Sequence, residues 1–97
     1  MFDNPNIGIL GLGHVGLPTA LGLADIGWNV IGADDLKSKA QDIANGDAPF
    51  YEPGLSEMLI KNINSGRFSV ASSVEEAIEA SDVIFVCVGT PQNDDGS

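Results

Sequence analysis

A glycine-rich hexapeptide near the start of the chain constrains the fold more than any other feature. Residues 11–16 read G-L-G-H-V-G and so have the form G-x-G-x-x-G. A short β-branched run at 7–10 precedes them, and apolar residues at helical spacing over 15–26 follow them. The three glycines suit a tight turn, a close approach to the backbone and a helix packed near a sheet, in that order. The hexapeptide therefore predicts a strand, a turn and a helix in succession.

The rest of the chain alternates apolar runs of strand length with segments of helical period. Strands are predicted at residues 7–10, 29–33, 68–71 and 83–88. Helices are predicted at residues 15–26, 36–45, 55–63 and 73–80, with a Pro- and Gly-containing loop at 47–54. The last strand is continuously apolar, as is typical of a strand buried on both faces. The elements predict an α/β fold: a partial Rossmann-type doubly wound sheet of four parallel strands, in the order 3-2-1-4, with helices on both faces.

Charge and composition exclude several classes of partner. Four Lys and Arg residues against fourteen Asp and Glu residues give a net charge of −10. Such a surface repels nucleic acid and anionic lipid, so we expect neither as a partner. With one cysteine, Cys87, and one histidine, His14, no disulfide or zinc site is predicted. Residues 1–5 lack the pattern of a signal peptide and no apolar run approaches about 18 residues, so we expect a soluble chain. The single cysteine favours a cytoplasmic, reducing setting.

An acidic pair at the end of the second predicted strand completes a pattern for dinucleotide binding. Asp34 stands 23 positions after Gly11, close to the roughly 20 typical of a carboxylate that binds the adenosine ribose. The first amides of the helix would bind the pyrophosphate, which needs no Lys or Arg. The carboxylate would repel a 2′-phosphate, and this favours NAD over NADP. The alternatives are that Asp35 binds the ribose, that the pair only caps the next helix, or that the glycine turn holds no ligand.

The other polar or reactive residues suggest supporting roles. His14 occupies an x position of the glycine loop and is predicted to be a surface or cofactor-edge residue. Cys87 lies in the most apolar strand and is predicted to pack in the core. Residues 89–91, G-T-P, follow that strand on the same sheet edge as the glycine loop. We expect Thr90 and the backbone of Val88 and Gly89 to contact the central ribose or the nicotinamide side, with a plain turn as the alternative.

Three segments stand out for their joint spacing: G-L-G-H-V-G-L-P at 11–18, Y-E-P-G-L at 51–55 and V-G-T-P-Q at 88–92. Together they resemble the N-terminus of the UDP-glucose/GDP-mannose dehydrogenase family, which usually has tyrosine where this chain has His14. The resemblance implies an NAD-dependent enzyme that oxidises the C6 hydroxyl of a nucleotide sugar to a carboxylate. It implies two hydride transfers, through a thiohemiacetal and a thioester on a catalytic cysteine.

The predicted cofactor site combines the glycine loop, the acidic residue and the turn after the last strand. The resemblance adds Lys39, because the family often places a basic residue near the adenosine ribose, and it suggests a cofactor or interdomain role for Glu52. No residue of this chain is predicted to be catalytic or to bind a metal. The predicted cofactor-binding residues are Gly11, Leu12, Gly13, His14, Val15, Gly16, Asp34, Lys39, Val88, Gly89, Thr90 and Pro91.

The resemblance also implies that residues 1–97 are the N-terminal part of a Rossmann NAD-binding domain. The family's catalytic residues, central helix and sugar-binding C-terminal domain would be absent, so the nucleotide sugar would bind through those missing parts and the chain alone would be inactive. One alternative is a stand-alone Rossmann module that senses a nucleotide. Another is the start of a 3-hydroxyacid or 6-phosphogluconate type dehydrogenase, which shares the glycine loop but not Y-E-P-G-L. An uncovered last strand would favour a homodimer or other self-association.

Overall fold

The computed structural model describes residues 5–87, which contain the predicted succession of strands and helices. Each observed element begins and ends close to the predicted positions, within the usual uncertainty of element ends. None of the helices in this part of the chain combines the length and hydropathy needed to cross a bilayer. Along the chain the elements are β1 Asn6–Leu10, α1 Gly16–Asp25, β2 Asn29–Ala33, α2 Lys37–Ala44, α3 Leu55–Asn64, β3 Phe68–Val70, α4 Val74–Ala80 and β4 Val83–Val86.

The strands form a parallel sheet in the order β3-β2-β1-β4, which confirms the predicted topology. The last residue of β1, Leu10, pairs with Ala33 at the end of β2 and with Val86 at the end of β4. The amide of Gly11 then donates to the carbonyl oxygen of Ala33 at 2.8 Å, which extends the pairing one residue beyond β1. The segments that follow β1 and β2 therefore leave the same sheet edge side by side.

Helices cover both faces of the sheet because alternate strand residues point to opposite sides. On one face, Ile9 and Val30 pack with α1 and α3 in the main hydrophobic core. On the other face, Ile31 and Ala33 pack with Ala77 of α4 in a smaller cluster. The predicted arrangement, with helices on both faces of a parallel sheet, is confirmed. Because α1 packs against β1 and β2, its N-terminus is held next to the loop that follows β1.

β4 is more exposed than its sequence predicts. Its four residues are 37–66% exposed, and Val86 is the most open of them. Within residues 5–87, β4 lies at a sheet edge and pairs on one side only, with β1. The predicted burial on both faces is therefore wrong for the described chain, because burial depends on the neighbours present as well as on apolar composition. The predicted end of this strand, residue 88, lies outside the described residues.

Candidate functional site

The glycine loop leaves β1 at the carboxyl edge of the sheet and leads into α1. Gly11 has a φ of +99°, a conformation that residues with a side chain rarely adopt, so the turn out of β1 requires glycine. A Cβ atom on Gly16 would overlap the carbonyl oxygen of Gly11, so the start of α1 packs against the loop as only glycine permits. A Cβ atom on Gly13 would meet nothing within 4 Å. The space beside Gly13 is therefore open to a ligand.

The same loop leaves backbone donors unused. The amide of Leu17 donates to the carbonyl oxygen of Gly13 at 3.0 Å, which closes the first turn of α1. Within residues 5–87, the amides of Gly13, His14 and Val15 donate to no acceptor. These amides precede the N-terminus of α1, where the helix dipole concentrates partial positive charge. The loop thus forms a site suited to a diphosphate, without a basic side chain.

Leu12 takes part through its backbone, while its side chain belongs to the core. That side chain is fully buried and packs over Gly32, where a Cβ atom would lie 2.8 Å from one Leu12 methyl carbon. The amide of Leu12 donates to Oδ2 of Asp34 at 2.8 Å. Leu12 therefore holds the Asp34 carboxylate in place, and its predicted contact with a cofactor stays a prediction.

Asp34 follows β2 and is bonded to the glycine loop. Besides the Leu12 amide, its Oδ2 lies 3.1 Å from Nζ of Lys39, while Oδ1 accepts the amide of Leu36 at 2.9 Å. The Asp34 side chain is only 9% exposed. A carboxylate offers about four acceptor positions, so within residues 5–87 these three partners leave one position unused on Oδ1. A ribose hydroxyl can use that position without displacing a protein partner.

The geometry distinguishes the two members of the acidic pair. Asp34 Oδ1 accepts the amide of Leu36, the N-cap residue of α2, but α2 has no side-chain cap, so the alternative that the acidic pair only caps this helix is not supported. Asp35 is exposed and makes no hydrogen bond or ion pair within the part of the chain that the structure describes. Only Asp34 is joined to the glycine loop, which favours it as the ribose ligand. Lys39, included through the family resemblance, lies in the same cluster as the ion-pair partner of Asp34.

The pKa of Asp34 lies below its ordinary value of 3.8. Burial is the largest single influence and raises this pKa, because it disfavours the charged form. The amide hydrogen bonds from Leu12 and Leu36, followed by the hydrogen bond and the charge of Lys39, favour the carboxylate and together outweigh burial. Asp34 is therefore ionised at neutral pH. The negative charge is what would repel a 2′-phosphate, and it strengthens a hydrogen bond accepted from a ribose hydroxyl.

This lowered pKa gives the fold a specific acid sensitivity. Because the folded-state pKa of Asp34 lies below the unfolded value of 3.8, the carboxylate stabilises the fold fully above that pH. The stabilisation is lost as the pH falls through the folded-state pKa. Urea unfolding from neutral to acidic pH should therefore show a shallower loss of stability in Asp34→Asn than in the wild type. An equally steep loss of unfolding free energy with falling pH in the two proteins would contradict a stabilising role for the ionised Asp34 carboxylate.

Phe50 is a candidate site residue that the sequence reasoning missed. Its ring stacks on the imidazole of His14, with ring centroids 4.0 Å apart and planes inclined by 20°. His14 itself is exposed, as predicted for a surface residue. The two positions are far apart in sequence, so no local periodicity reports the contact. The sequence did offer one signal for this residue. Phe50 is an aromatic residue in the predicted loop and directly precedes Y-E-P-G-L, one of the segments that resemble the family.

Cys87 lies beside the start of α1. Its amide donates to the carbonyl oxygen of Leu10 at 2.7 Å, and its Cβ lies 3.2 Å from the position a Gly16 Cβ would take. The residue is partly buried against the main core, in keeping with a packing role. Within residues 5–87, no three His, Cys, Asp or Glu side chains are grouped to hold a metal ion. The remaining predicted cofactor residues lie outside the described part of the chain: Val88, Gly89, Thr90 and Pro91.

The residues present fit a dinucleotide. The open space beside Gly13 and the unused loop amides suit two phosphates, and the free acceptor position of Asp34 suits a ribose hydroxyl. The model for the UDP-glucose/GDP-mannose dehydrogenase family, NAD binding domain, matches residues 5–97. The chain belongs to this family. It comprises sequence of the family's NAD-binding domain, and its cofactor is NAD, as the glycine loop and Asp34 predicted.

Several relatives of this chain are named as nucleotide-sugar dehydrogenases. A UDP-glucose 6-dehydrogenase of Bacillus subtilis is 41% identical over 91 residues, which cover 94% of this chain and 21% of the relative. A GDP-mannose 6-dehydrogenase of Pseudomonas savastanoi pv. phaseolicola is 42% identical over 90 residues, which cover 93% of this chain and 20% of the relative. The chain thus spans about one fifth of the length of these two relatives.

Solved structures of the family confirm the fold. A UDP-glucose dehydrogenase from the hyperthermophilic archaeon Pyrobaculum islandicum superposes with a TM-score of 0.89 at 44% identity, covering 97% of this chain and 22% of that one. A GDP-mannose dehydrogenase from Pseudomonas aeruginosa, solved as a ternary complex, superposes with a TM-score of 0.86 at 41% identity, covering 94% of this chain and 21% of that one. The described sheet is therefore the family's Rossmann-type sheet.

Proposed function

We propose that this chain is the NAD-binding portion of a nucleotide-sugar 6-dehydrogenase. The parent enzyme would oxidise the C6 hydroxyl of a UDP- or GDP-sugar to a carboxylate, with two NAD molecules accepting two hydrides. The observation that carries the proposal is the pairing of an open glycine loop with an ionised carboxylate at the adjoining strand end. Asp34 and the loop are joined by the Leu12 amide at 2.8 Å, so the two halves of the dinucleotide site have a fixed separation.

Each part of the loop would have a distinct role toward the cofactor. The amides of Gly13, His14 and Val15 would donate to the pyrophosphate, while Gly11 and Gly16 give the loop its shape. The Asp34 carboxylate would accept a hydroxyl of the adenosine ribose, held in place by the Leu12 and Leu36 amides and by the ion pair with Lys39. Val88, Gly89, Thr90 and Pro91 would contact the central ribose or the nicotinamide side.

Binding and chemistry would be divided between this chain and the rest of the enzyme. When bound, NAD supplies the hydride acceptor, while the residues of this chain bind and orient it. No residue of the chain is assigned a catalytic role, and transition-state stabilisation requires groups that contact the reacting atoms. The names of the relatives, which include UDP-glucose and GDP-mannose 6-dehydrogenases, support the assignment of a nucleotide sugar as substrate.

Calorimetry and a turnover assay test this proposal together. The 97-residue chain should bind NAD, bind NADP more weakly and leave both UDP-glucose and GDP-mannose unoxidised. The gene's full-length product, assayed with NAD and the same two sugars, should yield the uronic acid of one of them with two NADH per sugar. Turnover by the 97-residue chain, or full-length protein inactive on every nucleotide sugar tested, would contradict the proposal.

We also propose that the exposed β4 edge drives self-association of the chain. Its apolar residues are 37–66% exposed, and an unpaired strand edge is a template for pairing with a second copy. Light scattering should show a mass that rises with concentration, and Val86→Lys should restore a monomer because lysine blocks edge pairing. Ile26→Lys, at a position 73% exposed on the far end of α1, is the control and should associate as the wild type does. A wild-type monomer at high concentration would contradict this proposal.

A further inference from the structure

The middle of the segment at 47–54 is attached to the rest of the molecule by side chains, and backbone hydrogen bonds form only at its two ends. At its ends, the amide of Asp47 donates to the carbonyl oxygen of Asp42 at 2.8 Å, and the amide of Leu55 donates to that of Glu52 at 3.0 Å. Between those bonds, residues 48–51 make no backbone hydrogen bond within the described chain. Ala48 and Phe50 instead pack against the main core. The position of this segment therefore depends on a small number of side-chain contacts.

Phe50 makes the contact that joins this segment to the glycine loop. Its ring lies 4.0 Å from the His14 ring, centroid to centroid, and the planes are inclined by 20°, a stacked arrangement. One side of Phe50 is anchored in the core, whereas His14 is exposed and lies between two residues with unused amides, Gly13 and Val15. The stack thus connects an anchored ring to the middle of the anion-binding backbone.

We infer that Phe50 is a positioning residue for NAD, acting through the His14 ring on the amides that hold the pyrophosphate. This inference rests on the proposed function of the glycine loop. Donors held in their bound orientation lose less conformational freedom when the ligand arrives, so the stack increases affinity without touching the cofactor. Linkage makes the effect reciprocal: bound NAD stabilises the stack and, through it, the segment at 47–54.

The chain offers a direct probe of the stack, because His14 is its only histidine. The imidazole proton signals in an NMR spectrum are therefore assigned without ambiguity, and the ring current of Phe50 shifts them. Phe50→Leu removes the aromatic ring but keeps an apolar side chain, Phe50→Tyr keeps the ring, and His14→Ala removes the exposed partner. Ile26→Ala, at the opposite end of α1, is the matched control for loss of an exposed apolar side chain.

We expect Phe50→Leu to move the His14 signals and to weaken NAD binding about two- to tenfold by calorimetry. His14→Ala should weaken binding by a similar factor, and Phe50→Tyr and Ile26→Ala should bind as the wild type does. Limited proteolysis within 47–54 should be slowed by NAD in the wild type more than in His14→Ala. Weaker NAD binding in a Phe50→Leu protein that urea unfolding shows to be fully folded separates positioning from a loss of fold stability, and His14→Ala carries the test if Phe50→Leu does not fold.

Two results would overturn the inference alone. One is wild-type NAD affinity in a folded Phe50→Leu or His14→Ala protein, and the other is an unchanged His14 signal in Phe50→Leu, which would mean that the rings do not stack in solution. A wild-type chain that binds no NAD would overturn the proposed function as well. The wild-type titration alone shows this outcome, so it is distinguished from the other two before any variant is measured.

Discussion

Replacing Gly16 with alanine should abolish measurable NAD binding and lower the free energy of unfolding by about 3 kcal/mol. The added Cβ would overlap the carbonyl oxygen of Gly11 and approach Cβ of Cys87. The first of these neighbours is backbone at a φ of +99°, so it cannot rotate aside as a side chain can. Relief requires α1 to move away from the loop, which displaces the donors that the pyrophosphate needs.

The chain contains a matched control for this substitution in the same helix. A Cβ atom on Gly22, in the middle of α1, would meet nothing within 4 Å. Gly22→Ala should therefore raise the free energy of unfolding by about 0.5–1 kcal/mol, because alanine loses less backbone entropy in a helix, and it should leave NAD binding unchanged. Urea unfolding and calorimetry measure both effects. Wild-type affinity in Gly16→Ala would mean that close packing of α1 on the loop is irrelevant to the cofactor.

Replacing Asp34 with asparagine should weaken NAD binding about 10- to 100-fold, since hydrogen bonds to charged groups contribute roughly 1.5–3 kcal/mol. It should also reduce the preference for NAD over NADP, because the charge that repels a 2′-phosphate is removed. The unfolding free energy should fall by about 1–3 kcal/mol. An asparagine offers one acceptor oxygen to the amides of Leu12 and Leu36, and it leaves Lys39 without its ion pair.

Asp35→Asn is the control for this second prediction. It removes the same charge from the adjacent position, but Asp35 makes no hydrogen bond or ion pair within the described residues. NAD affinity and unfolding should therefore stay close to wild type. Titration of Asp34→Asn and Asp35→Asn with NAD and with NADP gives four affinities, which show whether the loss is specific to Asp34. Equal losses in the two variants would assign the effect to net charge and not to a specific ribose contact.

The sequence predicted the glycine loop and Asp34 because both depend on local context. The turn needs glycine at fixed offsets after a strand, and the acidic residue follows the next strand at a typical spacing. Binary patterning also predicted the strands and helices and a sheet covered on both faces, since strand and helix periods are local properties. Together these features predict that the glycine loop and Asp34, the two halves of the candidate site, lie at the same edge of the sheet.

Features that depend on tertiary neighbours were predicted less well. The burial of β4 was overestimated because an apolar run does not reveal which elements lie beside it. The buried side chain of Leu12 could not be foreseen from the loop motif, since it fills the space left by Gly32 on a different strand. The stack of Phe50 on His14 joins two loops, and no periodic sequence pattern indicates a contact of this kind. Each of these is a contact between segments distant in the chain.

The most direct test of the cofactor site is a crystal structure of the chain grown with saturating NAD. The pyrophosphate should lie against the amides of Gly13, His14 and Val15, and an adenosine ribose hydroxyl should donate to the Asp34 carboxylate. Bound NAD with its pyrophosphate away from this loop, or with its ribose hydroxyls away from Asp34, would contradict the site described above.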